Sequence, residues 1–141
     1  MIRKATAKWL GNFKEGKGML TTDSGAVKDL PYSFNTSFEN TPGTNPEELI
    51  GAAHAGCFSM ALSAFLNKEG FSVKEINTQA QVSLEQVEGN WTISAIHLNL
   101  TASVDGIDEN KFAQIAQSAK ENCPVSRALN AKITMEARLI Q

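Results

Sequence analysis

Alternation of apolar and polar positions predicts most of the elements of this chain. Residues 2–10 alternate loosely, with Ala5, Ala7 and Trp9 on one side, and predict a first strand. A polar turn region over residues 11–18 leads to a second, short strand at residues 19–22, and Asp23-Ser24-Gly25 is turn chemistry. Tyr32, Phe34, Thr36 and Phe38 share one face of an expected third strand. Farther on, Ile76, Thr78, Ala80, Val82 and Leu84 alternate cleanly with polar neighbours. After a turn at Glu88-Gly89-Asn90, Ile96, Leu98, Leu100, Ala102 and Val104 do the same, which predicts a long hairpin. Asp108 is placed to cap a helix whose buried stripe is Phe112, Ile115, Ala116 and Ala119. Cys123-Pro124 interrupts that helix and starts a short one through Leu129. Residues 132–140 then form a last strand with Ile133, Met135, Ala137 and Leu139 inward.

Residues 49–67 break the alternation: nineteen residues pass without an Asp, Glu, Lys or Arg. Thr44-Asn45-Pro46-Glu47-Glu48 precedes them with a cap residue, a proline suited to the first helical position and two carboxylates for the positive helix end. Glu48, three residues after Asn45, can complete a capping box. Gly70 closes the element. The length would reach across a bilayer, but His54, two serines, two glycines and many alanines make insertion weak. A helix with no charged face is expected to be buried on nearly all sides. The order of elements predicts an α+β fold with a mainly antiparallel sheet and a long buried central helix. One sheet of this size covers such a helix poorly, so an intertwined or tightly packed homodimer is expected.

The chain has 141 residues, 42% hydrophobic and 20% charged, with a net charge of −2. It is expected to form a single domain over residues 1–141. The acidic balance argues against nucleic acid as a partner. No export signal is read after Met1-Ile2-Arg3-Lys4, and two cysteines 66 positions apart make no secreted disulfide framework, so a cytoplasmic location is expected.

The candidate chemistry lies with Cys57 and Cys123. One reading makes them small buried hydrophobes. The other makes them a redox pair, since Cys123 begins a helix with Pro124 first and Cys57 lies in an Ala/Gly-rich segment open to close approach. A zinc site of His54, Cys57, His97 and Cys123 is arithmetically available, but no C-x-x-C or H-x-x-x-H pair supports it. His54 reads as a packed histidine or as a neighbour to the thiol. Ser59, Ser63 and Ser126 lack a G-x-S-x-G setting, and Gly16-Lys17-Gly18 is too short for a phosphate loop.

Phe34-Asn35-Thr36, the run Asn45-Pro46-Glu47-Glu48-Leu49-Ile50-Gly51-Ala52-Ala53-His54-Ala55-Gly56-Cys57-Phe58-Ser59-Met60-Ala61-Leu62, and Cys123-Pro124-Val125-Ser126 together closely resemble the OsmC/Ohr family. These are the osmotically inducible and organic hydroperoxide resistance proteins, and the long run is closer to the OsmC branch. The resemblance implies a dimeric, cofactor-free thiol peroxidase with the two central helices buried between the subunits' sheets. It implies Cys57 as the cysteine that attacks an organic hydroperoxide and Cys123 as the one that resolves the sulfenic acid to a disulfide. It further implies a dithiol reductant of lipoyl type, and Glu47 as the glutamate that holds an arginine against the thiolate. In the family pattern F-N-T-R-F the arginine follows threonine, whereas here Ser37 stands there. Arg127 and Lys17 are the substitutes expected, with Lys14 the other N-terminal cation. The rival readings are an OsmC-like dimer holding an apolar ligand without turnover, and an inert dimer with two core cysteines.

Overall fold

The computed structural model describes residues 1–140, in the order β1 (Ala5–Leu10), β2 (Lys17–Thr22), β3 (Leu30–Tyr32), α1 (Phe34–Phe38), α2 (Pro46–Lys68), β4 (Val73–Val87), β5 (Asn90–Val104), α3 (Glu109–Asn122), α4 (Pro124–Ala128) and β6 (Lys132–Ile140). Two compact units divide the chain after Leu49.

In the first unit, β1, β2 and β3 form an antiparallel sheet in sequence order. Trp9, Gly18 and Tyr32 fall in one cross-strand row. Their rings approach to 5.6 Å between centroids, and a side chain at position 18 would collide with both. The strand expected through Phe38 ends at Tyr32. Ser33 instead caps a single helical turn, exchanging hydrogen bonds with Thr36 in a capping box. A spacing of four serves a strand face and one helical turn alike, so Phe34 and Phe38 stay together and meet Phe13. Asn45 caps α2 as expected, accepting from the Glu48 N–H at 2.7 Å. The expected capping box is not completed, because the Glu48 carboxylate takes the Thr44 hydroxyl at 2.9 Å instead.

The second unit is a mixed sheet, β4 antiparallel to β5 and β5 parallel to β6, with α3 and α4 in the crossover. Three of the four strand pairings among the described residues are antiparallel, in keeping with the expected mainly antiparallel arrangement, and the fourth, β5 with β6, is parallel because its connection carries helices rather than a turn. Register aligns the inward residues into rows: Val82, Ile96 and Ile133; Ala80, Leu98 and Met135; Thr78, Leu100 and Ala137; Ile76, Ala102 and Leu139. A β-bulge at the step from Ser83–Ala95 to Leu84–Ile93 resets the parity of β5, so Ile93 joins this face out of the simple alternation. Phe112, Ile115, Ala116 and Ala119 of α3 complete the core, as their spacing predicts, and Asp108 caps α3 at 2.8 Å from the Lys111 N–H.

Gly51, His54, Phe58, Leu62 and Leu66 form the buried stripe of α2, three or four residues apart. Gly70, at φ +87°, ends the helix in a Schellman turn, with Phe71 N–H on the Leu66 carbonyl at 3.0 Å. The helix expected to be enclosed on every side is enclosed on one within a single chain. Its far side carries Ala52, Ala53, Gly56, Ala64 and Met60, the last 71% exposed. Although α2 is long and apolar enough to cross a membrane, its stripe is sealed within the protein core.

Leu62 is fully enclosed in that stripe. Leu62→Ala is expected to lower unfolding free energy by about 2–5 kcal/mol, read as a reduced urea midpoint at unchanged slope.

Candidate functional site

Cys57 sits in the middle of α2, half-buried at the margin of the core. Cys123 lies at the junction of α3 and α4, where Pro124 cannot extend the first helix. Its own N–H still closes α3 on the Ala119 carbonyl at 2.9 Å, and its carbonyl accepts from Arg127 N–H at 3.0 Å to open α4. Cys123 is fully buried.

The fold brings the two sulfurs into contact. Cys57 and Cys123 are free thiols joined by a hydrogen bond, and the backbone of Val125 adds a second hydrogen bond to Cys57. Burial pushes the Cys57 thiol above its ordinary range, and the bond to Cys123 adds to the rise. The bond from Val125 opposes it by favouring the thiolate, as an N–H donor does. At neutral pH the Cys57 thiol is therefore largely protonated.

Beside the sulfurs lies a buried polar pair. His54 Nε2 and Ser126 Oγ are 2.7 Å apart, with His54 fully enclosed and Ser126 nearly so. The other ring nitrogen, Nδ1, is buried without a hydrogen-bond partner among the described residues. Burial holds the imidazole below its ordinary range, hence neutral. Each member lies three residues from a cysteine: His54 before Cys57, Ser126 after Cys123. Sequence reasoning considered both residues singly and missed the bond between them. The matched spacing was the available signal.

The remaining candidates stand differently. His97 faces the opposite side of the sheet, where its Nδ1 meets Thr134 Oγ1 at 2.7 Å, so it does not join His54 and the thiols. Among the described residues no cluster of three His, Cys, Asp or Glu is arranged to hold a metal ion. Glu47 is in the first turn of α2, and its Oε2 is buried with no hydrogen-bond partner among the described residues. The helix runs unbroken past Gly51, so ten residues of rise place Glu47 about 15 Å along the axis from Cys57. Arg127 is an exposed residue of α4 and Lys17 an exposed residue of β2. Neither makes an ion pair among the described residues; the pairs found are Lys74–Asp105 and Lys111–Glu69. Ser37 is a half-buried residue of α1.

Several known proteins resemble this chain in sequence and fold. Residues 38–138 match the family model described as OsmC-like protein. The chain is 50% identical over 137 residues to Peroxiredoxin OsmC of Escherichia coli K12, covering 97% of this chain and 96% of that protein. It is 27% identical over 123 residues to the organic hydroperoxide resistance protein OhrB of Bacillus subtilis, covering 86% of this chain and 88% of that one. The crystal structure of the Bacillus subtilis OhrB superposes with a TM-score of 0.68 at 26% identity, over 97% of this chain and 98% of that one. An OsmC-like protein of Vibrio cholerae superposes at 0.79 with 16% identity, over 97% and 99% of the two chains, a likeness of fold alone. With a family model spanning well over half its length and a relative identical at half of the aligned positions, the chain belongs to the OsmC-like protein family.

Proposed function

We propose that this chain is a homodimeric, cofactor-free cysteine peroxidase of the cytoplasm that reduces organic hydroperoxides, formed by residues 1–141 as one domain. The observation that carries the reading is the hydrogen-bonded contact of Cys57 with Cys123. The names of its relatives, a peroxiredoxin and organic hydroperoxide resistance proteins, support it.

Cys57 is the attacking residue because it is partly exposed while Cys123 is sealed. The Cys57 thiolate takes the terminal oxygen of the hydroperoxide, the O–O bond breaks, and the alkoxide leaves as an alcohol after protonation. Cys57 becomes a sulfenic acid. The Cys123 sulfur then attacks the oxidised sulfur, forming the Cys57–Cys123 disulfide and releasing water. A dithiol, of lipoyl type in this reading, reduces the disulfide by exchange and leaves as its own cyclic disulfide. The Val125 contact stabilises the thiolate before attack. Glu47 holds a cation toward the site in this scheme, and Arg127 or Lys17 supplies it in place of the residue that Ser37 lacks. A cation near the sulfur favours the thiolate and the leaving alkoxide.

The open side of α2 supports the dimer. Small residues there let a second backbone approach closely, and Met60 projects from an otherwise shallow apolar face. A symmetric pair would set this face against its own copy and give α2 its second cover.

Three measurements test the reading. Alkyl hydroperoxide added to reduced protein is expected to remove both titratable thiols and give an intramolecular disulfide by mass. Cys57→Ser abolishes the reaction, and Cys123→Ser lets Cys57 proceed to sulfinic acid; unchanged thiol counts in the native chain would sink the proposal. Because the Cys57 thiol is pushed up, its alkylation rate in Cys123→Ser should rise nearly tenfold per pH unit from about pH 6 to about pH 8. A rate flat with pH would mean a thiolate already formed. In sedimentation the protein should run at twice its 15.2 kDa chain mass, and Met60→Lys should shift it toward the monomer.

A further inference from the structure

Two segments of the second unit, α2 and the turn after α3, carry the paired sulfurs, and a polar contact beside the sulfurs ties the two together. Cys57 belongs to a helix fixed by its buried stripe. Cys123, Val125 and Ser126 belong to the short turn after α3, where only five residues are helical. So short a helix has little stability of its own. Besides the contacts that Cys57 itself makes with Cys123 and Val125, a hydrogen bond between His54 Nε2 and Ser126 Oγ at 2.7 Å joins this turn to α2. The bond is buried, so water does not compete for either group. Placing the ring proton on Nε2 leaves an acceptor lone pair at Nδ1 unpaired rather than a donor, the less costly alternative. His54 then donates to Ser126.

From this geometry we infer that His54 and Ser126 are positioning residues, a clamp that holds the α4 turn over Cys57 so that Cys123 is aligned to close the disulfide and Val125 N–H stays on the Cys57 sulfur. The inference rests on the reading of Cys57 and Cys123 as a redox pair, and adds two residues that neither sulfur touches through its own chemistry. The clamp works through spacing. His54 is one helical turn from Cys57 and Ser126 about one turn from Cys123, so fixing the outer pair fixes the inner pair in register. Disulfide closure demands a narrow approach of one sulfur to the other along the bond being broken, and small displacements of such a reacting pair carry large rate costs.

The test uses an aromatic disulfide, dithiodipyridine, so that it does not depend on hydroperoxide turnover. The partly exposed Cys57 attacks first, forming a mixed disulfide and releasing one pyridinethione. Cys123 then attacks the Cys57 sulfur, forming the protein disulfide and releasing the second. The first-order rate of that second release reads alignment directly. Ser126→Ala is expected to slow it by about tenfold, while Ser126→Thr, which keeps the hydroxyl, restores it. His54→Leu, apolar and similar in size, breaks the same bond from the other side and is expected to slow closure likewise, which provides the measurement if Ser126→Ala does not fold. A residue that only stabilised the fold would lower Tm and leave closure at the native rate, and that result overturns the inference. A native protein that releases a single equivalent removes the redox pair itself, and the clamp with it.

Discussion

The second unit depends on the cross-strand rows of its mixed sheet. Those rows put the inward side chains of β4, β5 and β6 into line on one face, and α2 and α3 both spend their apolar stripes against it. A helix and the end of another helix are thereby held side by side over the same surface. Cys57 is carried by the first and Cys123 by the boundary of the second. Each fully buried Leu or Phe on those stripes contributes about 1.5–3 kcal/mol of apolar transfer. Cys123 is itself a buried member of that core and Cys57 packs at its margin. The meeting of the two sulfurs is a consequence of this packing.

The same helix has a second apolar face, which the sheet leaves open. Ordinary surface helices place charge opposite their buried stripe, but residues 49–67 contain none. Their far side is therefore composed as an interior would be, with Ala and Gly allowing a close backbone approach. Two demands meet on one segment: the stripe through Phe58, Leu62 and Leu66 builds the core, and the opposite side fits the partner helix of the proposed dimer. Gly51, which lies 3.2 Å from Val82 when a Cβ is built on it, shows how tightly the first demand is met.

Much of this was legible because period and spacing survive folding. The hairpin, the Asp108 cap, the α3 stripe, the Cys123-Pro124 break and the last strand follow from local chemistry that tertiary contacts reinforce. The turn at Phe34–Phe38 was not, since two aromatics four apart satisfy a strand face and a helical turn equally, and the Ser33–Thr36 exchange decided the matter. The parallel placement of β6 was hidden too, because alternation states which side chains point inward but not the direction of the neighbouring strand. At the site, the cysteines announced themselves by rarity. The His54–Ser126 bond spans 72 residues, and nothing in either local pattern pairs them except the shared distance of three from a cysteine.

Electrostatics at the sulfurs governs the resting state of Cys57. A thiol drawn into the margin of an apolar core loses hydration that its anion needs, and donating to Cys123 further secures its proton. One backbone donor from Val125 works in the other direction, and the overall shift remains upward. Such a site is quiet at rest: it keeps the thiol protonated, hence weakly nucleophilic. Reactivity in the proposed cycle must then come from a positive group brought to the sulfur. The family resemblance placed that group at the position of Ser37, which cannot carry charge, while Arg127 and Lys17 are exposed and unpaired within the described chain. Glu47, in the first turn of α2, has a buried carboxylate oxygen with no hydrogen-bond partner among the described residues. A buried acceptor left unpaired is costly, and about 15 Å of helix separates it from Cys57, so the carboxylate and the thiol each call for a positive group of their own.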